Sequence, residues 1–246
     1  MLSVLELSIK STQRLSVSKH EYKKCENIKL FGSGFLMKIK GKIRLLTADH
    51  VVHYDDYEEG RRVEDEDNVF LELNMKKGLS QLCYRLGNFQ HFDIICLEKY
   101  EESRDEIEYT DFIDFAYYTF EDNKAFKETS VQEEISMFFL DESITTDFNN
   151  GDLCIVSGII KRKVKTGGVI IGGEPHSYED LSFVSEKDGV YTLQYPCEII
   201  KDDWIGLSGA PVFSDKGALV GMLLEVSEHD NTVQVLSMKK IFSLVQ

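Results

Sequence analysis

The feature that most constrains this chain is the recurrence, along nearly its whole length, of short apolar or alternating stretches bounded by turn residues. VLELSI, GFLMKI, KIRLLTA, VFLELN, LCYRL, DIICLE, DFAYYTF, ISMFFL, DLCIVSGII, GGVIIGG, SFVSE, VYTLQY, APVF, ALVGMLLEV and TVQVLSM all have the pattern of strands. Helical periodicity is almost absent, so the sequence predicts an all-β fold of sandwich or barrel type. The exception is terminal: Ser237 is placed to cap a short helix in which Met238, Ile241, Phe242 and Val245 share one face.

A polar, charged stretch, EDNKAFKETSVQEE at 121–134, separates two strand-rich halves of similar length. It predicts two β modules, 1–125 and 126–246, each the size of a barrel, with a cleft where they pack. The 246 residues, 42% of them hydrophobic and only three of them proline, describe a packed globular protein with a substantial core. A net charge of −15 argues against nucleic acid as a partner, because phosphate binding needs a field of the opposite sign.

No apolar run approaches the length of a membrane helix, and MLSVLELSIK lacks the basic start and cleavage site of a secretory signal. The five cysteines, Cys25, Cys83, Cys96, Cys154 and Cys197, are odd in number, widely spaced and mostly set in apolar runs. They are expected to be reduced core thiols, which points to a cytoplasmic chain.

Three places carry candidate chemistry. GSGFLMKIKGKIRLLTADHVV (32–52) is a strand, a Lys-Gly turn, a second strand and a short turn that presents His50. TDFIDFAYYTF (110–120) sets Asp114 at the start of an apolar strand, where a carboxylate needs a hydrogen-bond donor such as an imidazole N–H. Asp93 in HFDIICLE has a nearly identical setting and competes for that role. GLSGAPVFSDKGALVGMLLEV (206–226) is a turn, a strand, an Asp-Lys-Gly hairpin and another strand, with Ser208 in the turn. The N–H groups of Gly206 and Ser208 are placed to converge on one oxygen. Taken singly, each of these has a structural reading: a core histidine, a strand-edge aspartate, a tight turn.

Jointly, in the order His, Asp, Ser on an all-β background, LLTADHVV, DFIDFAYYTF and GLSGAPV resemble the three signatures of the trypsin-like (chymotrypsin-fold) serine peptidases. GSGF and GDLCIVSGI (151–159) resemble the supporting strands. The resemblance spans roughly residues 30–245 and implies two packed six-stranded antiparallel β-barrels with a short C-terminal α-helix. It implies that His50 is the general base, Asp114 its orienting carboxylate and Ser208 the nucleophile, with Gly206 and Ser208 as oxyanion donors. The aspartate-aromatic-alanine run at 114–116 favours Asp114, whereas the interval from His50, 64 residues for Asp114 and 43 for Asp93, favours Asp93.

Leu207 stands where secreted relatives carry the aspartate used in zymogen activation, so no switch of that kind is implied. Asp202, six residues before Ser208, falls where the resemblance puts the pocket floor and would favour Lys or Arg in the substrate. Val226 falls near the expected pocket wall. Stand-alone intracellular members resemble protease modules of bacterial antiviral systems, which implies an activating protein partner and a protein or peptide substrate. The alternative is a binding or scaffold module that keeps the fold without turning over peptides.

Other signals carry less. The acidic stretch 53–68 lacks the spaced ligands of a calcium loop, and KRKVK (161–165) is a lone basic run. TGGVIIGGEP (166–175) lacks phosphate-loop spacing, and no metal or cofactor is expected.

Overall fold

A computed structural model describes residues 2–19, 28–53, 67–73, 82–87, 90–91, 113–120, 138–148, 151–160, 165–166, 169–170 and 174–245. The stretch 121–134 and most of the acidic stretch 53–68 lie outside the described residues, as do most of KRKVK and Asp93.

The chain opens with α1 (Val4–Ser11), followed by β1 (Thr12–Lys19), β2 (Ile28–Ile39), β3 (Lys42–Thr47) and the one-turn helix α2 (Asp49–Val52). Then come β4 (Asp67–Leu73), β5 (Leu82–Gly87), β6 (Gln90–His91), β7 (Ala116–Thr119) and β8 (Phe139–Asp141). The second half holds β9 (Leu153–Ile160), β10 (Lys165–Thr166), β11 (Val169–Ile170), β12 (Glu174–Lys187) and β13 (Val190–Gln194). It ends with α3 (Lys201–Trp204), β14 (Pro211–Ser214), β15 (Leu219–Ser227), β16 (Thr232–Ser237) and α4 (Met238–Leu244).

VLELSI, expected as a strand, is instead α1. Its period-two pattern is outweighed by a capping box: Ser3 accepts from the Glu6 amide, and the Glu6 carboxylate accepts from the Ser3 amide at 2.9 Å. The other terminal helix is as expected, with the Ser237 hydroxyl accepting from the Lys240 amide at 3.2 Å.

The strands form two bodies. β9, β12, β13, β16, β15 and β14 close into a six-stranded antiparallel barrel. The N-terminal half is an eight-stranded sheet in the order β5-β4-β1-β2-β3-β7-β6, with β8 lying parallel to β2. This curled sheet is the half-barrel that partners the closed one, as expected of a double barrel; among the described residues its end strands are β5 and β6, and its eighth strand comes from beyond residue 125. The Lys40-Gly41 turn joins β2 to β3, with both residues in the left-handed region that a two-residue hairpin requires.

Each body has its core. The barrel interior gathers Val156, Leu181, Leu193, Leu207, Val212 and Val233. The other core joins Phe35, Leu46 and Phe115 of the N-terminal sheet to Met222, Met238, Ile241 and Leu244, so α4 ties the two halves together. Burying each such large side chain contributes about 1.5–3 kcal/mol. Of the cysteines, Cys154 is buried in the barrel, where desolvation pushes its thiol pKa up, whereas Cys197 is exposed, against expectation.

Candidate active site

The position of His50 follows from packing. β3 leads into α2, and Val51 seats directly on Gly32 of β2: a Cβ there would fall 2.7 Å from Val51 Cγ2, so only a glycine admits this approach. Asp114 is brought beside it by strand register. β3 and β7 are antiparallel with Thr47 opposite Ala116, so the residues just after Thr47 and just before Ala116 emerge at the same end of the sheet. Phe115 and Ala116 are fully buried and anchor that end, while the Phe115 amide donates to the Ile113 carbonyl at 2.8 Å, a three-residue turn with Asp114 at its apex.

His50 Nδ1 donates to Asp114 Oδ2 at 2.8 Å, and the His50 amide donates to Asp114 Oδ1 at 3.0 Å. Both carboxylate oxygens therefore accept from the same residue, which fixes the ring and leaves Nε2 as the basic nitrogen. The side chains keep 28% and 23% exposure, enough to face a substrate. Burial works to lower the His50 pKa, but the charge and hydrogen bond of Asp114, helped by Asp49 and Glu225, raise it above the ordinary value. A second pair sits on the same helix: His53 Nδ1 and Asp49 Oδ1 are 2.6 Å apart and almost wholly buried.

Ser208 lies on the loop between α3 and β14. The loop is held from outside itself. The Ser33 hydroxyl donates to the Gly206 carbonyl at 2.6 Å, and the Ser33 amide donates to the Ser208 carbonyl at 2.9 Å. The Ser33 carbonyl accepts from Thr47 Oγ1 at 2.6 Å, tying the clamp back to β3. Gly209 donates to the Leu223 carbonyl at 2.8 Å, with φ +88, and a Cβ at this position would run into the Ser33 carbonyl. The carbonyls of 206 and 208 are thus engaged, whereas among the described residues the N–H groups of Gly206 and Ser208 donate to no protein acceptor. Two unspent N–H donors on one tight turn are able to bind an oxyanion.

His50, Asp114, Gly206 and Ser208 line one cleft of about 360 Å³, whose other walls include Phe31, Trp204, Ile205, Leu224, Glu225 and Val226. The structure therefore brings together every expected site residue except Asp202, which is exposed on α3 and does not line the cleft. Trp204 stacks on Tyr178 with ring centroids 3.6 Å apart. The Ser208 hydroxyl makes no hydrogen bond among the described residues. Sequence reasoning missed Ser33, Thr47 and Glu225: Ser33 acts through hydrogen bonds to the distant nucleophile loop and Thr47 through one to Ser33 on β2, and only the serine in GSGF marked one of them.

No family model matches the chain, and no curated protein matches it by sequence. Solved structures do. The active form of the Rv3671c protease from M. tuberculosis aligns over 98% of this chain and 82% of its own, at 15% identity and a TM-score of 0.50. Deg5 aligns over 98% of this chain and 89% of its own, at 14% identity and a TM-score of 0.51. The serine endoprotease from Yersinia pestis reaches a TM-score of 0.54 at 12% identity, over 98% of this chain and 64% of that one. The double-bodied β architecture, with its closed six-stranded barrel and C-terminal helix, is the fold of the trypsin-like serine proteases.

Proposed function

We propose that this chain is a serine endopeptidase. The observation that supports it is the two-point hold of Asp114 on His50 at the mouth of a cleft that also contains Ser208 and the unspent amides of its loop. A serine hydroxyl is barely nucleophilic at neutral pH, so His50 Nε2 takes the Ser208 proton as Oγ attacks the peptide carbonyl. The Gly206 and Ser208 N–H groups receive the developing oxyanion, each such donor contributing about 3 kcal/mol. His50 then protonates the leaving amine, and water, activated by the same imidazole, hydrolyses the acyl-enzyme.

The Lys or Arg preference expected from Asp202 has no support in the cleft, from which that carboxylate is absent. Phe31, Trp204, Ile205, Leu224 and Val226 favour an apolar side chain next to the scissile bond. Among the described residues no helix is long and apolar enough to cross a membrane.

A second reading, a binding module that keeps the fold, draws on the Ser208 hydroxyl having no hydrogen bond to His50. An activating partner would fit the same gap by closing it, and a place in antiviral defence rests on resemblance alone. A fluorophosphonate probe separates the readings. Labelling that disappears in Ser208→Ala supports the peptidase; no labelling of the intact chain, alone or with candidate partners, supports the module.

A further inference from the structure

We propose that Glu225 selects substrates carrying a lysine or arginine on the acyl side of the scissile bond, set back from the residue that is cleaved. The proposal rests on the peptidase reading above and names the substrate class of the same cleft.

Three observations converge on this residue. First, Glu225 lines the cleft together with His50, Asp114 and Ser208, and among the described residues it is the one carboxylate there besides Asp114. Asp114 has both oxygens bound to His50, so Glu225 is the acidic group available to a ligand.

Second, Glu225 is exposed, and among the described residues its carboxylate makes no hydrogen bond and no ion pair. Lys201 also lines the cleft, but it is carried on α3 and is not paired with Glu225. An unpaired carboxylate loses little by exchanging water for a substrate cation, whereas one already paired would first have to give up its partner.

Third, Glu225 sits where, among the described residues, β15 has lost one neighbour. β14 pairs with β15 only as far as Met222, opposite Pro211, with Leu223 joined to the nucleophile loop through Gly209 and Ala210. Beyond it, Leu224, Glu225 and Val226 line the cleft while β15 stays paired with β16 on its other side. The register shifts between Leu223 and Glu225, a bulge that re-aims side chains at this point. An extended peptide laid antiparallel on the open edge runs toward Ser208, so residues opposite Glu225 and Val226 precede the scissile bond. Charge selection at Glu225 therefore acts on the acyl side.

The test uses the full chain and peptides with leucine fixed before the scissile bond, each preceding position being varied among Lys, Arg, Gln and Glu. At one of these positions Lys or Arg is expected to raise kcat/KM about tenfold over Glu. Glu225→Gln should flatten that preference, and Glu225→Lys should reverse it. A wild-type preference that persists in Glu225→Gln but disappears in Asp202→Asn overturns the proposal, since the cation is then read elsewhere. Fluorophosphonate labelling run in parallel keeps the two claims apart. Labelling without any charge preference sinks the Glu225 assignment and leaves the peptidase standing; absence of both labelling and cleavage removes the peptidase reading and this assignment with it.

Discussion

Asp114 holds His50 at two points, through the ring Nδ1 at 2.8 Å and through the backbone amide at 3.0 Å. A carboxylate used in this way sets ring orientation and tautomer together, which a single contact does not.

Replacing that carboxylate by an amide should preserve the fold and remove the chemistry. Asp114→Asn presents an N–H toward Nδ1 and favours the wrong tautomer, with a loss of about 10⁴ in kcat expected for a His-dependent serine nucleophile. The matching Asp93→Asn change should cost far less. Loss of peptide hydrolysis in Asp93→Asn but not in Asp114→Asn would reverse the assignment.

The pH profile follows from His50. Its pKa lies above the ordinary 6.5, burial being outweighed by Asp114 with help from Asp49 and Glu225. The base must be neutral, so kcat/KM should fall as pH drops through a midpoint above 6.5. Glu225→Gln removes one raising charge and should move that midpoint downward. The stability contribution has the opposite dependence: a raised folded-state pKa stabilises fully below 6.5 and is lost as pH rises through the folded value. An activity midpoint below 6.5 would contradict this.

Ser208→Ala should leave thermal stability within about 0.5 kcal/mol of wild type, because among the described residues the hydroxyl has no hydrogen bond to lose. Fluorophosphonate labelling should vanish in the same variant. A large drop in melting temperature would show that the hydroxyl has a structural role instead.

Ser33 is expected to matter although it lies far from Ser208 in sequence. Removing its hydroxyl in Ser33→Ala takes away the 2.6 Å bond to the Gly206 carbonyl, at a cost of about 1–3 kcal/mol, and frees that peptide to rotate. Chemical denaturation should report the destabilisation. Steady-state kinetics should show kcat falling about tenfold or more with little change in KM, since the oxyanion exists only beyond the ground state. An equal loss in KM alone would place the effect in substrate binding.

Gly209→Ala is expected to be worse than either. The backbone is at φ +88, and the new methyl meets the Ser33 carbonyl and, at 2.5 Å, Thr47 Oγ1. A destabilisation of about 3 kcal/mol or more should appear as a fall in the denaturant midpoint, with labelling of Ser208 lost.

The sequence by itself determined that this is a β protein with a C-terminal helix, because period-two apolar stretches and the Ser237 cap are local signals with a local cause. It also pointed to His50, Asp114 and Ser208, each standing at the end of a buried strand or on a tight turn. It misplaced VLELSI, where an alternating pattern competes with a capping box, and it placed Asp202 in a pocket whose walls lie elsewhere.

Only the tertiary structure decided what lies beside what. The β3 and β7 register, not the residues between them, sets Asp114 against His50; Ser33 reaches Gly206 across 173 positions; and the ending of β14 opens the edge that carries Glu225. Such contacts depend on strand pairing between distant segments, and no single segment encodes them, because register is settled only when whole apolar faces are buried together.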